Sequence, residues 1–271
     1  MRNQIEAEIK GLLTTKIIGQ NCVCLEETDS TNTQAQRLAK EGAPHGTLVT
    51  ADSQSAGKGR RGRTWISQAE DHIYMSLLLR PDIQPDKASM LTLVMGLSAA
   101  GACQELLEEA GSRERVGIKW PNDLVWNGRK ICGILTEMQT VAEGIDHVVV
   151  GVGINVNGTR FPAELADTAA SLCMAAGHPL PRPELIARVL NRFERDYERF
   201  LATEDLSGLQ ADYESFLVNC GRQVRVLDSI DEYTGIARGI NSRGELLVEC
   251  DGQLHAVYAG EVSVRGVYGY I

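Results

Sequence analysis

No stretch of this 271-residue sequence approaches the roughly 18 apolar residues of a membrane-spanning helix, and the opening MRNQIEAEIK lacks the apolar centre of a secretory leader. Positive charge is the minority sign, with 27 Lys and Arg against 36 Asp and Glu and a formal charge of −9. A broad grip on DNA or RNA phosphates is therefore not expected, since that affinity comes from Lys and Arg replacing counterions over much of a surface. Any cationic site must be local. The seven cysteines (Cys22, Cys24, Cys103, Cys132, Cys173, Cys220, Cys250) are odd in number, scattered and without a C-x-x-C pair. Neither a disulfide framework nor a zinc cluster is indicated, and reduced, mostly buried thiols in the cytoplasm are the expectation. The Walker phosphate-loop pattern is missing, and G-x-G at Gly57 and Gly59 does not open a helix as a dinucleotide fingerprint must. The five histidines are dispersed, with no Ser-His-Asp or Cys-His grammar for a side-chain nucleophile. Internal repeats and low-complexity segments are absent too.

What is present suits one good core and a smaller second one, hence two unequal domains, 1–218 and 219–271. After a polar start, VCLEE leads into DSTNTQAQRLAKEG, whose Ala35, Leu38 and Ala39 spacing predicts a helix ended by Gly42. GTLVTA and HIYMSLLLR read as strands flanking an aperiodic loop over 53–68. Helical spacing from Ser89 to Ala110 stops at Gly111, and RVGIKW reads as a strand running into PND. Residues 123–138 form two extended runs about Asn127-Gly128, a strong hairpin signal, before the buried strand DHVVVGVGINVN. Helices over 183–202 and 205–218 close the larger domain, and short alternating runs from Arg222 onward give a small all-β barrel. The class is α+β, a mixed sheet with flanking helices.

Four segments could carry chemistry. Gly57-Lys58-Gly59-Arg60-Arg61-Gly62-Arg63 crowds four cations onto a glycine-rich loop, which an anion would relieve, though a solvated basic loop has the same composition. Lys119-Trp120-Pro121-Asn122-Asp123 precedes a hairpin that should bring Lys130 back beside Lys119, suiting a substrate with several negative groups; exposed lysines on an ordinary hairpin remain open. Ser30-Thr31-Asn32 starts a helix, and Thr31 with Gln34 fits a capping box. Gly151-Val152-Gly153-Ile154-Asn155 would let a strand approach a flat ring, with Asn155 reading an amide or base edge, or else mark a bulge.

Taken in register, DSTN, AGKGRRGRTW, KWPND, GRKICGILTE and GVGIN resemble biotin protein ligases over about residues 25–157, and GIARGI with GEVSVR extends the likeness to about 266. The resemblance implies a class II synthetase-like catalytic domain of the biotin/lipoate ligase type with an SH3-like C-terminal β-barrel. It implies activation of biotin by ATP and Mg²⁺ to biotinyl-5′-AMP and transfer to one lysine of a biotin carboxyl carrier protein. By the same resemblance Ser30, Thr31, Asn32, Gln54, Gly57, Lys58, Gly59, Arg60, Lys130, Gly133 and Gly151 belong to biotin. Arg63, Trp65, Lys119, Asn122 and Asn155, beside Gly153, belong to ATP and the adenylate. Arg60, Lys119 and Lys130 are the implied catalytic cations, and metal ligands are not assigned. Two departures stand out: Lys58 where relatives commonly carry Arg, so that its side chain is replaceable, and Cys132 at a position often held by a smaller residue.

The likeness is to the short class without a DNA-binding domain, because fewer residues precede Asp29 than a winged helix needs. A catalytic piece of a bifunctional ligase and repressor is the alternative. Lipoate or octanoyl ligases share the fold but lack R-R-G-R together with K-W-P-N-D. An exposed edge of the catalytic sheet leaves monomer and homodimer both open.

Overall fold

The computed structural model describes residues 2–67, 71–227, 232–259 and 263–266. The chain begins with α1 (Arg2–Leu12), β1 (Cys22–Thr28), α2 (Thr31–Lys40), β2 (Thr47–Gln54), β3 (His72–Leu79) and α3 (Leu91–Glu109). Strands β4 (Val116–Lys119), β5 (Asp123–Trp126), β6 (Arg129–Val141) and β7 (Gly144–Asn155) follow, then helices α4 (Leu172–Ala176), α5 (Arg182–Thr203) and α6 (Gln210–Phe216). The seven strands make one sheet in the order β1-β2-β3-β7-β6-β5-β4, parallel between β1 and β2 and antiparallel elsewhere.

Alternation along the central strands explains both faces. Ile73, Met75, Leu77 and Leu79 of β3 and Val148, Val150, Val152 and Ile154 of β7 enter the main core, which α3 and α5 cover. The opposite face of the same strands carries Tyr74, Ser76 and Leu78, and Val149, Gly151, Gly153 and Asn155. Beneath α2 only a small cluster forms there, Ala35, Ala39, Val49, Leu78 and Val149. Because a strand's side chains alternate, one run of sequence supplies a full core on one side and a hollow on the other.

The second unit comprises β8 (Gln223–Leu227), β9 (Glu232–Ile240), β10 (Leu246–Cys250), β11 (Gln253–Val257) and β12 (Ser263–Gly266). These form an antiparallel sheet in the order β11-β10-β9-β8-β12, consistent with an SH3-like module. The Trp120 indole N–H donates to Gly244 O at 2.9 Å and its backbone N–H to Asn219 Oδ1 at 2.8 Å, so the K-W-P-N-D segment is fastened to the second unit and its approach.

Several expectations need correction. The capping box does not form: Ser30 is the N-cap, no side chain caps α2, and the Thr31 hydroxyl is engaged by Gln54 and Ser76 instead. The helix expected over 205–218 shrinks to α6, because the Asp205 carboxylate accepts both the backbone N–H and the hydroxyl of Ser207 and holds that segment in a turn. Residues Pro85–Met90, partly assigned to the long helix, are a 3-10 turn leading into α3. The segment Pro85–Glu109 is, by length and mean hydropathy, apolar enough to cross a membrane, against the sequence expectation; 89% of that window is buried here as the core helix. The polar start is in fact helical, with Ile9 fully buried and the Glu194 carboxylate accepting the N–H groups of Lys16, Ile17 and Ile18 just beyond it.

Candidate functional site

Two hollows open on the α2 side of the sheet. The smaller, of about 50 Å³, is lined by Ser30, Thr31, Asn32, Gln54 and Lys58 and floored by Gly133, Leu135, Gly151 and Gly153. The larger, of about 650 Å³, has five cations among its lining residues (Arg60, Arg61, Arg63, Lys119, Lys130) against one carboxylate, Asp123. Gly59, Arg60, Trp65, Asn122 and Lys130 line both, and are therefore the partition between them. A pocket of several hundred Å³ has the size of an organic-ligand site.

The glycines make the floor possible. A Cβ on Gly151 would collide with Asn32 Oδ1, and one on Gly153 would stand 2.6 Å from the Trp65 ring. Neither residue has positive φ, so it is space rather than backbone freedom that requires glycine here. The Trp65 indole consequently lies flat against the sheet, with Lys130 Nζ 5.3 Å from its ring centroid. Its indole N–H is buried without a partner among the described residues.

Beyond β2 the 53–68 segment is a loop, as its aperiodicity suggested, but an ordered one. Gly59 N–H donates to Arg63 O at 2.7 Å and Trp65 N–H to Gly57 O at 2.9 Å, making a narrow hairpin whose tip turns through Arg61 and Gly62, both at positive φ. Residues 68–70 at the end of this region lie outside the described residues. The hairpin sets the arginines in place. Arg60 Nη1 donates to Asn122 Oδ1 at 2.8 Å and Nη2 to Ala259 O at 2.7 Å, joining the hairpin, the K-W-P-N-D turn and the second unit. Burial, with Arg61 and Arg63 nearby, lowers the pKa of this guanidinium, while Asp123 opposes the shift.

The Trp120–Pro121 peptide is cis, and beyond it Lys119 and Asp123 face each other across the β4–β5 pair. The hairpin at Asn127 and Gly128, both at positive φ, returns Lys130 to within 2.6 Å of Asp123. Lys119 is buried and lines the same large hollow, so the two lysines do converge. Asn155 donates to Ala170 O at 3.0 Å and lines the large hollow, whereas Gly151 serves the small one.

The small hollow is a closed polar network. Gln54 Oε1 accepts the N–H and hydroxyl of Thr31, at 2.8 and 3.1 Å, and Gln54 Nε2 donates to Ser67. The Ser76 hydroxyl, with one proton to give, donates to Asn32 Oδ1 at 2.6 Å and stands 2.8 Å from Thr31 Oγ1. The Ser30 hydroxyl is left without a partner among the described residues. Gly57 is the predicted residue that lines neither hollow: it packs under Trp65 O, inside the hairpin.

Sequence reasoning missed His72, Phe161, Leu165, Thr168 and Ala169, which wall the large hollow. Phe161 and His72 stack at 6.2 Å. Burial depresses the His72 pKa despite Asp71 beside it, with Arg182 adding to the depression, and the neutral ring accepts the Val156 N–H on Nδ1 at 3.2 Å. Residues 157–170 have no periodicity to flag them, and Phe161 is the one aromatic among them. Ser76 was hidden inside a strand, while Asp123, Leu135 and Glu137 sat within quoted motifs without a role.

Two family models match, the biotin/lipoate A/B protein ligase family over residues 24–155 and the biotin protein ligase C-terminal domain over 220–265. The chain is 39% identical, over 96% of its length and 78% of the relative's, to the bifunctional ligase/repressor BirA of Bacillus subtilis. It is 34% identical to the biotin–acetyl-CoA-carboxylase ligase of Mycobacterium tuberculosis, covering 87% of this chain and 86% of that one. The biotin protein ligase of Aquifex aeolicus, solved with biotin and ATP, superposes with a TM-score of 0.78 at 31% identity, covering 91% of this chain and 99% of the other. Motif order, fold and these likenesses agree, and the chain belongs to the biotin protein ligase family.

Proposed function

We propose that the protein activates biotin with ATP to biotinyl-5′-AMP and transfers the biotinyl group to a lysine of a biotin carboxyl carrier domain. The observation that carries this reading is the partition: a hollow whose Ser30–Asn32 end is lined by uncharged hydrogen-bonding groups and a larger cationic one meet at Arg60, Trp65, Asn122 and Lys130. In the small hollow the cyclic urea of biotin finds the Ser30 hydroxyl, Asn32 Oδ1 and the network behind them, a set that suits one carbonyl and two N–H groups. The valeryl chain brings its carboxylate to the partition, where the Trp65 indole packs on Gly133 and Gly153.

In the large hollow the adenosine lies against Phe161 and His72, with Asn155 and Arg63 on the adenylate side. Lys130 and Arg60 hold the carboxylate, and Lys119 meets the charge that develops on the α-phosphate as pyrophosphate leaves. In the second step the carrier amine attacks the acyl carbon and AMP departs. Asp123, the one carboxylate among the lining residues, would hold Mg²⁺ from the protein, and the ion would neutralise charge on the phosphates.

Incubation with ATP, Mg²⁺ and an apo carrier domain, comparing labelled biotin with labelled lipoate, tests the reading. Carrier labelled by biotin supports it; carrier labelled by lipoate alone contradicts it.

A further inference from the structure

One carboxylate beside the small hollow, Glu137 at the end of the GRKICGILTE motif, has been given no role above. Glu137 follows Gly133 and Leu135 on the same face of β6, opposite Val149 of β7. Its Oε2 accepts Asn32 Nδ2 at 2.7 Å, and its Oε1 stands 3.9 Å from Lys58 Nζ. Asn32 Nδ2 also donates to Leu135 O at 3.3 Å, while Asn32 Oδ1 accepts from Ser76 and rests over Gly151 on the floor of the hollow.

The two ends of an asparagine amide are alike in shape and opposite in function, so only its partners decide which way it points. A carboxylate and a carbonyl on one side accept hydrogen bonds and cannot donate them, which admits the NH₂ there and turns the oxygen to the hollow. That oxygen keeps a second lone pair for a ligand N–H. A reversed amide would set N–H against the N–H of a cyclic urea and leave Glu137 facing the amide oxygen.

We infer that Glu137 is a positioning residue for biotin recognition, fixing the amide polarity of Asn32 so that a ureido N–H is read and tying the glycine-rich hairpin to that amide through Lys58. This rests on the ureido assignment of the small hollow. The two contacts differ in weight. The Asn32 bond is short, charge-assisted and made to a side chain that is 4% exposed. The Lys58 pair is long and half open to water, so it contributes little.

The experiment measures biotin affinity by calorimetry and biotinyl-5′-AMP release by stopped flow, for the full chain and for Glu137→Leu, Glu137→Gln, Lys58→Met, Asn32→Ala and the Gln/Met double variant. Glu137→Leu should weaken biotin about tenfold while single-turnover adenylation at saturating biotin stays within about twofold of the parent. Glu137→Gln should recover most of the affinity, because its amide oxygen still accepts from Asn32. A merely structural residue would show no such rescue. Glu137→Gln and Lys58→Met should each speed adenylate release about twofold, and the double variant no further, as expected for two ends of one weak contact.

Biotin affinity unchanged in Glu137→Leu, or Glu137→Gln no better than Glu137→Leu, overturns the inference when Asn32→Ala does weaken biotin. Additive losses in the double variant overturn the tie to the hairpin. If Asn32→Ala binds biotin as the parent does, the ureido assignment itself falls and takes this inference with it.

Discussion

The two hollows are built from the same sheet face and differ in how their polar groups are arranged. In the small one Thr31, Asn32, Gln54 and Ser76 already satisfy one another, so a ligand finds a fixed pattern and displaces little. In the large one five cations face a single carboxylate among the lining residues, a charge arrangement that favours an anion. A hydrogen-bonded network suits discrimination, and a wall rich in cations suits stabilising charge that appears during reaction. On the proposed reading, recognition and chemistry meet at the residues that line both hollows, Trp65 among them.

Substitutions on the two sides should therefore change different constants. The largest effect belongs to Lys119→Ala, which should slow adenylate formation about 10²- to 10³-fold while leaving biotin affinity within about threefold. A loss confined to biotin affinity would move Lys119 to the recognition side. Next is Arg60→Gly, which removes a forked cation and the bonds to Asn122 and Ala259. Release of biotinyl-5′-AMP should rise about tenfold, so that the free acyl-adenylate labels lysines of a bystander such as serum albumin. Blotting for biotin reads this, and a clean bystander with an adenylate held as long as in the parent would contradict it.

Gly151→Ala sharpens the contrast from the other side. The new methyl must displace the Asn32 amide, and biotin affinity should fall about tenfold with the adenylation rate at saturation unchanged. The smallest effect is on pH. His72 and His45 both have pKa values depressed mainly by burial, and each accepts a backbone N–H on Nδ1. Because the folded state binds the proton less readily than the unfolded chain, with its ordinary value of about 6.5, stability is fully present above that value and declines as pH falls below it. Thermal unfolding between about pH 7.5 and 5.5 should show the decline, and His72→Gln and His45→Gln should each flatten it. Equal slopes in parent and both variants would remove these histidines from the account.

Strands β2, β3 and β7 and helices α2, α3 and α5 were legible in sequence because each is long and keeps one period. The hairpin at Asn127-Gly128 was legible because positive φ at two successive positions demands those residues. The glycine-rich hairpin was not, since its order comes from backbone bonds such as Gly59 to Arg63 that no side-chain pattern encodes. The motif cations and the Ser30-Thr31-Asn32 turn stood out as local clusters. Phe161, His72 and Glu137 did not, because their roles arise from pairings across the sheet and from a segment that doubles back on it.

The most direct test of the division between the hollows sets Asn32→Ala beside Lys119→Ala, measuring the biotin dissociation constant and the single-turnover rate of biotinyl-5′-AMP formation at saturating biotin. The account predicts a crossed pattern, with weakened biotin and a near-parental rate for Asn32→Ala, and near-parental affinity with a rate reduced at least about a hundredfold for Lys119→Ala. Both variants losing the same constant would contradict it.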